Sequence, residues 1–423
     1  MIRLSSLARN LTAETAFTVL ALARSYKAKG KDVVELEIGD SPFPSPPHAK
    51  AAGIKAIEEN QTGYGPSLGL LDFREAAARF VNAEFGFDVT ANHVVVASGA
   101  KPFEQYFAEA LLDPGDGVLI FSPHFPTYIP NLERRGARAV LTPLRAEDQF
   151  RPRASAVAEF LANDPKPRAI FLNSPHNPTG GVATRDDLKA IADVVRGTDV
   201  MVFSDEPYCH MVWQGRHESI GSLPGMLDHT VAAYTFSKSY SMSGWRMGFA
   251  VAHPDVVDAM GKLINTTASC SPAFVQRGAL AALEQDEATR TDYMERFRRK
   301  VESLASGLAK IEGFHVAPPV GTFYVFPDVR QLCNMHGITS HGLALYLLEG
   351  ADDDFGVACL GGECFGQAGQ GFLRFSCAEA DERIDQALAF LPKALSRPEP
   401  IAKFLERNPQ FLLTTPYPLQ SNS

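Results

Sequence analysis

The stretch Val231-Ala232-Ala233-Tyr234-Thr235-Phe236-Ser237-Lys238-Ser239-Tyr240-Ser241-Met242-Ser243-Gly244-Trp245-Arg246 runs from an apolar segment into a small-polar loop and ends on a cation. An apolar run with no polar alternation reads as a strand buried on both faces, the kind found in parallel sheets covered by helices. Working outward, the same unit recurs. Runs at His93 to Ala97, Val118 to Phe121, Ala169 to Leu172, Val200 to Phe203 and Met247 to Val251 alternate with longer helical patterns. The fold class is therefore α/β, with a mainly parallel sheet.

Residues with chemical potential lie just after these runs: Ser98-Gly99-Ala100, Phe125, Asn177, Asp205 to Tyr208, and Lys238. Ligands in open α/β sheets bind beyond the carboxyl ends of the strands, so these loops are expected to converge on one crevice. Lys238 offers an amine for covalent chemistry, while Thr235, Ser237 and Arg246 offer hydroxyls and a guanidinium suited to a phosphate. Gly99 and Ala100 precede a helical pattern from Lys101 to Leu112, and a helix start presents unpaired N–H groups to an anion. A carbonyl cofactor that carries a phosphate would use both. Taken one at a time the residues have plainer readings: a solvated lysine, an aspartate capping a turn, a core tyrosine, an Asn-Pro turn and a phenylalanine packed between prolines.

Company makes the pattern specific. Asn177-Pro178-Thr179-Gly180, Asp205-Glu206-Pro207-Tyr208, Ser237-Lys238 followed by Gly244-Trp245-Arg246, and Leu373-Arg374-Phe375 occur in that order, and with them the chain resembles the class I and II aminotransferases over roughly residues 30 to 395. The resemblance implies a fold-type I transferase dependent on pyridoxal 5′-phosphate. Such an enzyme has a large domain built on a seven-stranded type of sheet and a smaller α/β domain. It also implies roles: Lys238 to carry the cofactor and move the substrate proton, and Asp205 to face the pyridine nitrogen. Tyr208 and Asn177 would donate to the ring oxygen, and Phe125 would stack on the ring. Gly99, Ala100, Lys101, Thr235, Ser237 and Arg246 would hold the phosphate. Arg374, with the backbone at Gly39 and with Asn177, would bind the substrate carboxylate. Tyr64, in Gly63-Tyr64-Gly65, matches a tyrosine lent to the neighbouring subunit's phosphate, which implies a homodimer with shared active sites.

The expected activity is transfer of an amino group from an α-amino acid to a 2-oxo acid. A carbon-sulfur lyase or an elimination enzyme resembling aminocyclopropane-carboxylate synthase would use the same lysine and aspartate. A non-catalytic sensor that binds the cofactor is a further class; the first 30 residues are short for a DNA-reading helix-turn-helix, and no basic recognition helix is visible. Side-chain choice is open: the sequence places no cation for an acidic substrate, since Ile264 to Gln276 holds no Arg and Lys101 or Arg216 could lie anywhere relative to the pocket, and Phe17, Tyr128 and Phe323 could equally line an apolar one.

With 423 residues, 45% of them hydrophobic, the chain is long enough for two domains. The expected division is 1–45 (a helix and arm packing with the small domain), 46–285 (large domain), 286–396 (small domain) and 397–423 (an extension with no assigned function). A net charge of −9 without a dense Lys/Arg stripe argues against nucleic acid as a partner. Six cysteines without metal spacing read as reduced thiols in a cytoplasmic protein, and neither a metal site nor a membrane partner is expected. The apolar segment Ala16 to Ala23 is read as part of an amphipathic helix with Thr12 as N-cap rather than as a targeting signal. Residues 352–354, three aspartates, read as a solvated loop.

Overall fold

The computed structural model describes residues 2–11 and 14–419. Its centre is a seven-stranded sheet made of β2 (Val94–Ala97), β3 (Gly117–Ser122), β4 (Arg138–Pro143), β5 (Pro167–Asn173), β6 (Met201–Asp205), β7 (Thr230–Thr235) and β8 (Gly248–Val251), preceded in the chain by a separate strand, β1 (Asp32–Glu35). The spatial order is β2-β8-β7-β6-β5-β3-β4. From β4 to β7 all neighbours are parallel, while β8 runs antiparallel to both β7 and β2.

Alternation along each strand sends side chains to two different cores. Val118, Ile120, Ala169, Phe171, Met201 and Phe203 pack on one face, and Leu119, Phe121, Ile170, Leu172 and Val202 on the other. With both faces covered there is no place for a polar residue until the strand ends, and burying each large aliphatic or aromatic side chain contributes about 1.5–3 kcal/mol. Six of the seven strands match the apolar runs. The exception is β4, whose residues are exposed or half-buried, Leu141 among them. It is an edge strand and lacks the all-apolar signature.

The remaining strands lie outside this sheet. β9 (Tyr324–Val325), β11 (Leu360–Gly361) and β12 (Leu373–Ser376) form a three-stranded antiparallel sheet, and β10 (Phe355–Ala358) pairs in parallel with β1 from the N-terminal arm. The long helix Glu287–Leu308 buries Phe297, Val301 and Leu304 against this part, and the helix Pro398–Arg407 adds Ile401, Phe404 and Leu405 to the same core. The helix Pro398–Arg407 is thus a packing element.

The N-terminal segment does form a helix, Thr15–Ala28, with Ala16, Val19 and Ala23 buried. Thr12 lies outside the described residues. Glu14 occupies the N-cap position without making a side-chain cap, because its carboxylate is drawn to Lys101 instead. No helix among the described residues is long and apolar enough to cross a membrane.

Candidate active site

The carboxyl ends of β2, β5, β6 and β7 open into a cavity of about 640 Å³, closed by the helix Thr15–Ala28, by the Ile38 to Asp40 segment of the arm and by Tyr324 and Arg374. Its lining brings together Lys238, Asp205, Tyr208, Asn177, Phe125, Ala100, Lys101, Thr235, Ser237, Arg246, Gly39 and Arg374. The convergence expected from strand ends therefore occurs. Gly99 stands directly behind the lining, with a φ of +94°, and a Cβ there would sit 2.6 Å from Arg246 Nη2. Tyr64 stands apart, 93% exposed.

At one end, Lys238 Nζ donates to the Gly39 carbonyl at 2.6 Å, between the rings of Tyr208 and Phe323 at 5.8 and 5.4 Å. Gly39 is required by space: a Cβ would lie 2.1 Å from the Tyr324 hydroxyl oxygen. That hydroxyl in turn meets Tyr208 Oη at 3.2 Å. Burial, followed by Tyr324, raises the Tyr208 phenol well above its ordinary range, so it remains a proton donor.

Deeper in the sheet, Asp205 closes β6 and is buried, and its Oδ2 accepts a hydrogen bond from Tyr128 Oη at 2.6 Å. Burial pushes its carboxyl up to about 6, against the lowering effect of the Tyr128 bond. Beside it lies Glu104, which no motif pointed to. Its Oε2 accepts from Thr127 Oγ1 at 2.6 Å and from Asn131 Nδ2 at 2.9 Å, and burial, then Asp205, pushes it up to about 8. A charged residue on the buried face shared with Phe103, Phe107 and Ala108 was the available signal.

The helix that carries Glu104, Lys101–Leu111, begins with Ala100 at its N-cap, which offers no side-chain cap to the first N–H groups. Thr235 Oγ1 and Ser237 Oγ are 2.9 Å apart, and Arg246 Nη1 reaches Ser237 Oγ at 3.5 Å while its Nη2 donates to the Ser98 carbonyl at 3.0 Å. Backbone donors, hydroxyls and a permanent cation in one concavity make an anion cradle. This donor set fits a phosphate, and an amine with a buried acid in the same cavity fits the rest of a pyridoxal group.

Arg374 comes from β12 and is buried between two aromatic faces, 4.1 Å from the Tyr324 ring and 4.9 Å from that of Phe365. Its Nη1 donates to Asn177 Oδ1 at 2.8 Å and its Nη2 to the Glu37 carbonyl at 2.6 Å. The first bond fixes the Asn177 amide, leaving its N–H groups to donate elsewhere.

The wall nearest the N-terminal helix carries Glu14, Phe17, Leu20 and Arg24. Lys101 Nζ pairs with Glu14 Oε2 at 2.6 Å and lies over the rings of Phe17 and Phe125. Arg216 plays no part here, being paired with Glu218 on the surface. Of the three aromatics expected to form an apolar pocket, Phe17 alone lines the cavity. Tyr128 lies behind Asp205 as its hydrogen-bond donor, and Phe323 is stacked on Phe297 in the core. Their positions follow from strand and core packing that local sequence does not report.

A seven-stranded, mainly parallel sheet with a lysine, a buried aspartate and an anion cradle at its carboxyl edge defines the fold-type I class of transferases. The model of aminotransferase class I and II matches residues 31–391, and the chain belongs to that family. It is similar to an aspartate aminotransferase of Pyrococcus horikoshii, 31% identical over 87% of this chain and 92% of that one. It is also similar to an arginine–pyruvate transaminase of Pseudomonas aeruginosa, 33% identical over 87% of this chain and 90% of the other. Among solved structures, aspartate aminotransferase from Thermus thermophilus with maleate superposes with a TM-score of 0.87 at 30% identity, covering 93% of this chain and all (100%) of that one. The protein is thus an aminotransferase, and the lyase and sensor readings find no support among these relatives.

Proposed function

We propose that the protein moves the amino group of an α-amino acid to a 2-oxo acid by a ping-pong mechanism, with pyridoxal 5′-phosphate held at Lys238. The observation that carries this is the placement of the Lys238 amine in a cavity that also holds a buried acid, Asp205, and a buried guanidinium, Arg374. Bound there, the cofactor supplies an aldehyde that accepts amines and a ring that withdraws electrons from the substrate α-carbon.

The chain's own residues do the rest. Asp205, oriented by the hydrogen bond it accepts from Tyr128, would keep a proton on the cofactor's ring nitrogen. Tyr208 and the Asn177 amide would donate to the cofactor's ring oxygen, and Phe125 would supply an apolar surface for the ring. Thr235, Ser237, Arg246 and the start of the Lys101–Leu111 helix, with Gly99 giving room for Arg246, hold the phosphate. Arg374 and Gly39 bind the substrate carboxylate, and the Lys238 amine, once released, moves the proton at the α-carbon. The exposed Tyr64 serves the phosphate of a second subunit in a homodimer. The scattered cysteines support a cytoplasmic setting, and the division into domains at about residues 45, 285 and 396 is proposed with it.

Borohydride reduction of the holoenzyme followed by peptide mapping is expected to leave the pyridoxyl group on Lys238. An amino donor added without any oxo acid is expected to release one equivalent of 2-oxo acid per site. Label on another lysine would overturn the mechanism.

A further inference from the structure

Arg374 is a buried cation whose hydrogen-bond partners are all uncharged: an amide oxygen of Asn177 and a backbone carbonyl of Glu37. Its Nε finds no partner among the described residues. The same small region contains the complementary anomaly. Glu37 follows β1 and is 0% exposed, yet neither of its carboxyl oxygens receives a hydrogen bond from the described residues. An ionised carboxylate in such surroundings is held only by charge at a distance, and a protonated one is cheaper to bury. Glu37 and Arg374 do not form a close ion pair, so both Nη groups keep hydrogens for an incoming carboxylate.

We infer that Glu37 is a proton-exchanging counter-charge for Arg374, taking up a proton from solvent when a substrate carboxylate docks on the guanidinium and returning it when the carboxylate leaves. Glu37 acts through Arg374 and is in this sense a positioning residue. The inference rests on Arg374 being the carboxylate site.

The electrostatics give the direction. Burial pushes the Glu37 carboxyl up to about 7; Glu35 raises it further, while its own backbone amide, Arg374 and Lys27 lower it. The groups facing it are therefore Glu35 beside it on the arm, Lys27 from the N-terminal helix, Arg374 from β12 and Cys359 from between β10 and β11. Cys359 stays a neutral thiol, because burial, then Glu37, raises it far above its ordinary value. A docked carboxylate cancels the field of Arg374 and adds a like charge, so the ionised form of Glu37 loses its support. Binding then takes up protons near neutrality, and by linkage the affinity for carboxylates falls as pH rises through about 7. KM follows this affinity, and kcat does not.

The test uses the holoenzyme and two non-reacting carboxylates with different side groups, maleate and 3-phenylpropionate. Calorimetry in buffers of different ionisation enthalpy counts the protons taken up, from about pH 6 to about pH 9. The readout is the difference between wild type and Glu37→Gln, in which proton exchange by groups common to both proteins cancels. Wild type is expected to take up more protons near neutrality, and to lose about tenfold more affinity than Glu37→Gln across the range, the equivalent of one unit of pKa. Equal uptake and parallel affinity curves would overturn the inference. Loss of binding in Arg374→Ala together with parallel curves for Glu37→Gln rejects Glu37 alone. If neither carboxylate binds wild type, or binding survives Arg374→Ala, the carboxylate site itself is misassigned and the inference falls with it. Should Glu37→Gln fail to fold, infrared difference spectra of the wild type still decide: a new protonated-carboxyl band on ligand binding at about pH 8 is expected, and its absence refutes the proposal.

Discussion

Replacing Arg374 with alanine is the sharpest perturbation of the proposed substrate site. In the present geometry each Nη uses one hydrogen, Nη1 on Asn177 and Nη2 on the Glu37 carbonyl, and retains one for the substrate. A carboxylate that takes both retained hydrogens gains two charge-assisted bonds of about 1.5–3 kcal/mol each. The loss of about 3–6 kcal/mol corresponds to roughly a 10²- to 10⁴-fold fall in kcat/KM, carried mainly by KM. The assay is steady-state kinetics with the best amino donor, beside a urea melt that reports stability separately, because truncation also strands Asn177 Oδ1 and removes the side chain packed between Tyr324 and Phe365. Arg374→Lys is expected to recover only part of the loss, since an ammonium has no planar fork. A folded Arg374→Ala enzyme with kcat/KM within about threefold of wild type would refute the reasoning, for no bidentate bond is worth so little.

Asp205→Asn is expected to keep its circular dichroism spectrum but to turn over about 10- to 150-fold more slowly, the equivalent of one charge-assisted bond at the ring nitrogen; a near-normal rate would place this carboxylate elsewhere. Glu104 holds its proton up to about pH 8 in the folded protein, above the value in an unfolded chain. Its contribution to stability is fully present below the unfolded carboxylate pKa and is lost as pH rises through about 8, so Glu104→Gln should gain on wild type in melting temperature from about pH 5 to about pH 8 when both are cofactor-free. A pH-independent difference would contradict that assignment. Mixing Lys238→Ala with Tyr64→Ala chains, after verified subunit exchange, is expected to restore about a quarter of the sites, since each mixed dimer of a shared design has one intact site; no recovery would mean that Tyr64 serves its own subunit or none.

Much of the site was legible because strand ends are legible. In β5, β6 and β7 the apolar run stops within a residue or two of Asn173, Asp205 and Thr235, and a parallel sheet carries all of those stops to one edge. The edge strand β4 was not legible, since Arg138 and Leu141 meet solvent and the run has no buried face on both sides. Glu104 gave only a faint local signal, its place on the apolar face of its helix, and Glu37 belongs to no motif. What makes them unusual is that each is fully enclosed by residues distant in the chain, Asp205 for the one and Arg374 for the other.

The sequence by itself determined the α/β class, the order of the motif residues and the kind of chemistry they serve, because backbone periodicity and turn residues are local properties. Only the tertiary structure decided which partners these residues meet. It set Tyr128 against Asp205, Tyr324 against Tyr208, Glu14 against Lys101, and the buried carboxyl of Glu37 near the buried guanidinium of Arg374. Burial and charge act through space, and no pattern along the chain records a neighbour that packing brings in from far away in the sequence, 77 residues for Tyr128 and Asp205 and 337 for Glu37 and Arg374.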